Sequence, residues 1–433
     1  MLGRLSRAAG RGAGSVVGGH AILAIEPRAL EHFAAGRRVA LVSGTNGKTT
    51  TTKMLSTALA AVTGEAVVTN LTGANLPTGI ATALSQGCPG APAVLEVDEA
   101  WLGKVSADVR PAVLVLLNLS RDQLDRNNEV RHVAQRWRQA CGALPACARV
   151  VANADDPLVA WAASAAPAAT WVGAGLRWTA DSTGCPACAG AIDFVAGDFV
   201  AGGEGWACRA CDLSRPAPHL WLGSGPDGAE IRSGPGQCLP LHLRLPGRCN
   251  QANALAAVAA SVALGYAPEE ALAAISAIGE VGGRYAALEV GNATARMLLA
   301  KNPAGWAEVF DMLSPPPGPV VVAINARTAD GHDPSWLWDV PFERLAGRPV
   351  VATGERYLDL AVRLGYAGVE HTSEPDPLAA LARAAAAARA AAAPTARAAE
   401  AAAGNGAVRP GGLVDVVANY TAFHQLLARV RGQ

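Results

Sequence analysis

The run Ser43-Gly44-Thr45-Asn46-Gly47-Lys48-Thr49-Thr50 holds the residue types that grip a chain of phosphates. Gly44 and Gly47 let backbone N–H groups approach phosphate oxygens. Lys48 reaches terminal phosphates and the Thr49 hydroxyl can hold Mg²⁺ at a helix N-terminus, with Thr45, Asn46 and Thr50 completing the loop. A nucleoside triphosphate is the ligand this chemistry implies. The general pattern G-x-x-x-x-G-K-[ST] wants glycine where Val42 stands, so the loop is a compact variant. Glu96 and Asp98 end a later apolar run, and Asn118, Asp122 and Asp125 follow the next. They are candidate Mg²⁺- and phosphate-side groups, although each residue type also caps helices. A second chemistry lies in Cys185-Pro186-Ala187-Cys188 and Cys208-Arg209-Ala210-Cys211, two CxxC pairs separated by 19 residues. That spacing suits a tetrahedral Cys₄ zinc site, and four protein ligands leave no open position, so its role is structural. Only Arg209 and Arg215 are basic nearby, which argues against nucleic acid as a partner of this module.

The elements that must carry these groups follow from apolar periodicity. Strand-like runs at Val39–Val42, Ala93–Val97, Pro111–Leu117 and Val150–Ala152 alternate with helical stretches at Thr49–Val62 and Glu129–Cys141, which predicts a parallel sheet covered on both faces. The phosphate loop then sits at the carboxyl end of its strand, where other strand-end motifs converge. From about Thr179 to Pro216 a glycine- and cysteine-rich stretch reads as an inserted module, with Ile192–Phe194 and Trp206 offering a small hairpin. Helices are expected at Asn250–Leu264 and Pro268–Ile278, then a second α/β unit with strands at Arg296–Ala300, Pro319–Ile324 and Pro349–Ala352. The alanine-rich stretch Pro377–Ala403 favours helix, with Pro394 and the Gly404-Asn405-Gly406 turn expected to interrupt or end it. The expected division is an extension over 1–37, an ATP-binding domain over 38–285 and a second domain over 286–433.

Composition narrows the class. The 433 residues are 51% apolar and 17% charged, with 36 basic and 36 acidic side chains, so no global field recruits nucleic acid or an anionic surface. No segment offers the ~18 uninterrupted apolar residues of a membrane span, and the basic, glycine-rich first twenty residues lack a signal-peptide core. A cytoplasmic protein without stable membrane insertion is the expectation. Nine cysteines without an export signal read as thiols and metal ligands.

The succession GTNGKTTT, LEVDEA, NLSRDQLDR, NADDP and LPGRCNQANALAA resembles the central domain of the Mur ligase family from end to end, over about residues 38 to 285. The resemblance implies that Lys48 and Thr49 hold phosphates and Mg²⁺, that Glu96 is a metal-site carboxylate, and that Asn253 contacts adenine with Asn250 close by. Asn118 and Asp125 match the family's N-x-x-x-D-H-x-D-R element, in which Gln123 replaces the histidine. The modified lysine that many members use at a second metal has no recognisable counterpart. The family's amino-terminal uridine-nucleotide domain is not expected in residues 1–37, which precede the first strand.

That missing domain, the Cys₄ insert, NLSRDQLDR, Ala300-Lys301-Asn302-Pro303-Ala304-Gly305-Trp306 and Asp330-Gly331-His332-Asp333-Pro334-Ser335-Trp336-Leu337-Trp338-Asp339 are together similar to the amidating branch of the family. The similarity implies ATP-dependent conversion of the α-carboxyl of D-glutamate in the lipid II stem peptide to D-isoglutamine through an acyl phosphate, at the inner face of the membrane. No cysteine here sits in a glutaminase nucleophile turn, so ammonia must come from elsewhere. The similarity implies a GatD-type class I glutaminase as partner, whose histidine an aspartate of this chain orients. Asp339 is favoured for that role, Asp333 comes second and Asp330 is a further candidate. Trp336 and Trp338 alternate with Leu337, so both are expected on one surface. Arg284, Lys301 and Asn302 are candidate substrate-side residues near the domain junction. The alternative is a ligase that adds an amino acid without a glutaminase, as folylpolyglutamate synthases do.

Overall fold

The computed structural model describes residues 15–70, 74–121, 130–175, 178–195, 205–226, 228–234, 236–279, 285–290, 293–403 and 412–432, with helical backbone alone for 15–17 and 391–403. The chain divides into two compact units, Met1–Ser120 with Asn128–Gly279, and Arg121–Asn127 with Glu280–Gln433. Asp122, Gln123, Asp125 and Arg284 lie outside the described residues.

The first unit opens with helices α1 (Ser15–Ile25) and α2 (Ala29–Ala34), then β1 (Val39–Ser43), α3 (Lys48–Thr63), β2 (Val68–Thr69), α4 (Pro77–Gln86), β3 (Ala93–Glu96), α5 (Leu102–Val109), β4 (Val113–Leu116), α6 (Val130–Gly142), β5 (Arg149–Asn153), α7 (Pro157–Ala163) and β6 (Ala169–Gly173). Every residue of β1, β3 and β4 is buried, because each strand is covered on both faces and needs no polar alternation. In the sheet β1 pairs in parallel with β3 and β4, aligning Leu41 with Leu95 and Leu114. This reversal of strand order beside β1 is the crevice where such sheets bind ligands. The core beneath includes Leu41, Leu95, Leu114, Val150, Ile80 and Trp137.

Between β6 and β9 (Leu220–Gly225) the chain carries the insert, with β7 (Ile192–Phe194) and β8 (Trp206–Cys208) paired antiparallel as the expected hairpin. β6 and β9 are parallel neighbours paired at Val172 with Leu220 and Gly173 with Trp221, with His219 N donating to Trp171 O at 2.8 Å just before them. β10 (Gly228–Arg232) and β11 (Cys238–Pro240) then extend the sheet antiparallel, giving nine strands among the described residues in the order β11-β10-β9-β6-β5-β4-β1-β3-β2. Helices α8 (Arg248–Ala263) and α9 (Pro268–Ser276) return to pack on α3.

The second unit contains β12 (Tyr285–Val290), β13 (Ala293–Leu299), α10 (Pro303–Phe310), β14 (Val320–Ala323), 3₁₀ turns at Ser335–Asp339 and Phe342–Leu345, β15 (Val350–Thr353), α11 (Tyr357–Tyr366), β16 (His371–Ser373), α12 (Pro377–Ala403), β17 (Gly412–Ala418) and α13 (Tyr420–Arg431). Its six strands run β12-β13-β17-β14-β15-β16, parallel except for β12, with separate apolar layers on the two faces. Pro394 does not interrupt α12, because the strong helix formers around it outweigh one missing backbone donor; the helix runs to Ala403, and the Gly404-Asn405-Gly406 turn lies outside the described residues. No helix among the described residues is long and apolar enough to cross a membrane.

Candidate active site and metal centre

The phosphate loop runs from the end of β1 into α3, and two glycines set its path. Gly47 caps the helix at φ +88°, and a Cβ there would lie 2.3 Å from Asn253 Oδ1. Gly44 has φ +150°, and a Cβ there would sit 2.8 Å from Leu117 Cβ. Both positions therefore require glycine on steric grounds. Beyond them Lys48 and Thr49 begin the helix, both buried, with Thr50, Thr51 and Thr52 behind. The Thr51 hydroxyl donates to Asn253 Oδ1 at 3.2 Å, which ties α8 to the start of α3. Asn250, one turn earlier, donates instead to the Pro246 carbonyl at 2.6 Å and steadies the first turn of α8.

Asn118 is a brace for the loop. Its Oδ1 accepts from Asn46 N at 2.8 Å and its Nδ2 donates to Asn46 O at 3.0 Å, while Asn118 O accepts from Thr45 N at 2.9 Å. The next residues reinforce this, since the Thr45 hydroxyl donates to Ser120 O (3.1 Å) and accepts from Ser120 N (3.0 Å). The strand end that follows β4 thus holds the phosphate loop open by backbone and amide bonds.

Two glutamates face the loop. Glu96 is buried, and its Oε2 accepts from the Thr49 hydroxyl at 2.7 Å. Its backbone is fastened on both sides by Asn70, whose Oδ1 accepts from Glu96 N (2.8 Å) and whose Nδ2 donates to Glu96 O (2.8 Å). A hydroxyl and a carboxylate this close are hard oxygen donors of the kind Mg²⁺ takes, and the glycine-lined loop beside them fits a triphosphate, so the residues present suit both ligands. Glu99, which the sequence reading passed over, ion-pairs with Lys48 at 2.8 Å. Burial holds the Glu99 carboxyl above its ordinary pKa, against the lowering pull of Lys48. The signal was present in LEVDEA, where Glu99 lies three residues past Glu96. Asp98 is used locally, accepting from Ala100 N at 3.0 Å.

The NADDP segment supplies two further buried carboxylates that sequence reasoning had not assigned. Asp156 caps α7 through Leu158 N and Val159 N, and its other oxygen accepts from Leu119 N at 2.8 Å, inside the brace. Burial pushes its pKa up to about 6 even though these backbone donors pull it down. Asp155 accepts from Ala174 N (2.6 Å), Gly175 N (2.7 Å) and Arg215 Nε (2.8 Å), and so clips the insert to the end of β5. Trp206 of the insert adds a bond from its indole N–H to Ala154 O at 3.0 Å.

Within the insert the sulfur atoms of Cys185, Cys188, Cys208 and Cys211 all lie within 4.8 Å of one another. The donor set is four thiols, the ligand chemistry of a closed tetrahedral zinc site. The backbone N–H of Ala210 donates to Cys208 Sγ at 3.3 Å and lowers the pKa of that thiol, while those of Cys185 and Cys211 in the same cluster are raised, so without an ion the four thiols share their protons unevenly. Arg209 is engaged with Asp193 (2.7 and 2.8 Å) and Arg215 with Asp155, so both basic residues of the module serve internal contacts.

In the second unit the three candidate aspartates separate by environment. Asp330 is buried and accepts from Thr421 N at 2.9 Å and from the Thr421 hydroxyl. Asp333 accepts from Ser335 N (2.8 Å) and Ser335 Oγ (2.9 Å) and so starts the first 3₁₀ turn. Asp339, at the end of that turn, is 40% exposed and lies 3.5 Å from Arg121. The turn is held by buried Arg363, which donates to Leu337 O, Val340 O and Glu343. Trp336 and Trp338 do not share a surface. Trp336 is 7% exposed against Trp306, and Trp338 is 54% exposed against Tyr366, because a 3₁₀ turn advances by about three residues rather than alternating by two. Asn302 is buried and caps α10 through Gly305 N at 2.9 Å. Lys301 places its ammonium 4.9 Å from the Tyr420 ring centre.

A phosphate loop at the switch point of a parallel sheet, faced by a threonine–glutamate pair, defines an ATP-dependent ligase of the Mur ligase fold. Residues 42–179 match the Mur ligase middle domain. The fold is similar to that of a pseudomurein peptide ligase type C from Methanothermus fervidus, with a TM-score of 0.62 at 17% identity over 91% of this chain and 79% of that one. More specifically, residues 299–423 match the MurT ligase C-terminal family. The chain is 31% identical, over 85% of its length and 84% of the relative's, to the lipid II isoglutaminyl synthase (glutamine-hydrolyzing) subunit MurT of Streptococcus pneumoniae (strain ATCC BAA-255 / R6). It is 28% identical, over 77% and 78%, to the subunit of the same name from Staphylococcus aureus (strain COL). The chain belongs to the MurT family.

Proposed function

We propose that this chain is the synthetase subunit of a glutamine-dependent amidoligase that converts the α-carboxyl of D-glutamate in the lipid II stem peptide to D-isoglutamine. The observation that carries this reading is the similarity to MurT subunits across both units of the chain. A carboxylate does not react with ammonia at neutral pH, since its carbon is a poor electrophile and its leaving group would be oxide. Transfer of the γ-phosphoryl group of ATP to the carboxylate oxygen gives an acyl phosphate; attack by ammonia at the carbonyl carbon then expels phosphate and forms the amide. In this scheme the loop amides and Lys48 bind and orient the triphosphate, and Asn253 contacts the adenine. Thr49 and Glu96 would hold Mg²⁺, which when bound offsets charge on the phosphate oxygens. Lys301, Asn302 and Arg284 are retained as candidate substrate-side residues. The Cys₄ cluster holds zinc and staples the insert.

Ammonia is supplied by a GatD-type class I glutaminase partner. Asp339 is the aspartate best suited to orient that partner's histidine, because Asp330 is buried on Thr421 and Asp333 is engaged by Ser335 N and Oγ, while Asp339 is 40% exposed and holds a looser 3.5 Å ion pair with Arg121. The reaction takes place in the cytoplasm at the inner face of the membrane, where the soluble chain meets its lipid-linked substrate. The test is the mass of lipid II after incubation with ATP, this chain and either ammonium or glutamine, with and without the candidate glutaminase. Amidation with ammonium alone, and with glutamine only when the partner is present, is the expected result. ATP binding without amidation under every condition would overturn the reading in favour of a ligase that adds an amino acid.

A further inference from the structure

Lys48 is the one side-chain cation of the phosphate loop, and Glu99 holds it. Its ammonium donates to Glu99 Oε1 at 2.8 Å and to Gly44 O at 2.6 Å, and it is folded back over its own loop. The two side chains are 9% and 18% exposed, so this is a largely desolvated ion pair and water does little to weaken it. Glu99 is also held in place from behind. Trp137 Nε1 donates to Glu99 O at 3.0 Å, Trp101 N donates to Asp98 O at 3.0 Å, and Asp98 N donates to Asn75 O at 3.0 Å. A carboxylate presented by a turn with this many anchors is preorganised against the lysine.

We infer that Glu99 is a positioning residue that occupies Lys48 in place of a phosphate oxygen, so that nucleotide binding is an exchange of one anion for another on the same ammonium. A terminal phosphate reaching Lys48 must displace Glu99 or share the ammonium with it, and in either case the 2.8 Å bond between Lys48 and Glu99 is lost or weakened. The pair thus weakens binding of the nucleotide while keeping Lys48 over the loop when no nucleotide is present. Glu96 has the opposite relation to the ligand, because its partner is a hydroxyl and its charge is complementary to a cation. The inference needs only nucleotide binding at this loop and holds whichever acceptor is amidated.

The test is binding of a non-hydrolysable ATP analogue with Mg²⁺ to the full-length chain by titration calorimetry. Glu99→Gln is expected to tighten binding about tenfold, the size of one charge-assisted bond removed from the competing side. Glu99→Asp, one methylene too short to keep a 2.8 Å contact from the same backbone, is expected to tighten it in the same direction and guards against a folding defect in the first variant. In a Lys48→Met background Glu99→Gln is expected to change affinity by less than about threefold, since the residue acts through the lysine. Unchanged or weaker binding in both Glu99 variants would overturn the inference and make Glu99 a ligand-side group. Undiminished tightening without Lys48 would also overturn it, by assigning the effect to direct repulsion.

Discussion

Removing the Asn118 side chain isolates the brace under the phosphate loop. In Asn118→Ala two side-chain bonds disappear, the 2.8 Å bond from Asn46 N and the 3.0 Å bond to Asn46 O. Each contributes about 1 kcal/mol net, because Asn46 is only partly buried and water can replace the lost partner. The remaining ties, Thr45 N to Asn118 O and the Thr45–Ser120 pair, use the backbone or other side chains and survive the substitution. The loop conformation that aims its N–H groups at phosphate should therefore cost about 2 kcal/mol more to adopt, which is about a thirtyfold loss of affinity. If Asn118 acts on the loop, ATP and ADP lose the same factor, since both use the loop amides. Calorimetric titration of each nucleotide against the wild type and the variant measures this, with a thermal melt to show that the sheet is intact. Binding within about threefold of wild type would refute the brace, and a loss confined to ATP would mean that Asn118 meets the terminal phosphate directly.

Three other outcomes follow from the geometry. Cys208→Ser should reduce metal content measured by plasma mass spectrometry from one zinc per chain to none and lower the melting temperature; retained stoichiometric zinc would sink the four-thiolate site. Asp156 carries a folded-state pKa of about 6, above the ordinary aspartate value near 4. The folded chain therefore keeps a proton that the unfolded chain has lost, and the stability from this group is full below about pH 4, declines as pH rises to 6 and is flat above. Urea midpoints between pH 4 and 7 should show that slope, of order 3 kcal/mol at most, and Asp156→Asn should flatten it. Asp339→Asn should leave nucleotide binding and ammonium-driven amidation intact while lowering glutamine-driven amidation by about a thousandfold; glutamine-driven turnover at the wild-type rate would remove Asp339 from the proposed triad.

How much of this was legible in the sequence depends on what each residue's partner is. The phosphate loop, its strand and its helix could be read because Gly44, Gly47, Lys48 and Thr49 are local in sequence and their chemistry follows from type and spacing. The Cys₄ cluster was legible for the same reason, down to the Ile192–Phe194 hairpin. Asn118 was found as a site residue, but its bond to Asn46 spans 72 positions and only the fold reveals that its amide is spent on the loop. Glu99 was missed because an acidic residue after a strand has many ordinary uses, and its pairing with Lys48 depends on a turn anchored by Trp137. The antiparallel strands β10 and β11 carry short, mixed-polarity sequences with no strong alternation, so nothing in their pattern distinguished them from loop. The tryptophan pair was misread because alternation by two presumes extended backbone, and Pro334 and Asp333 start a 3₁₀ turn instead.

The short pairing of β6 with β9 would give a metal in the insert a role at the rim of the sheet. A long excursion separates those strands, and closing it costs entropy that so short a contact does little to offset. Four thiolates on one ion would shorten the excursion, and the Asp155–Arg215 clip fastens the module to the end of β5. If loss of the ion let β9, β10 and β11 detach, β6 would become an open edge with unpaired N–H and C=O groups. Such an edge is a template for pairing with another chain. Starvation for zinc would then appear as self-association of the protein before it appeared as any loss of nucleotide chemistry.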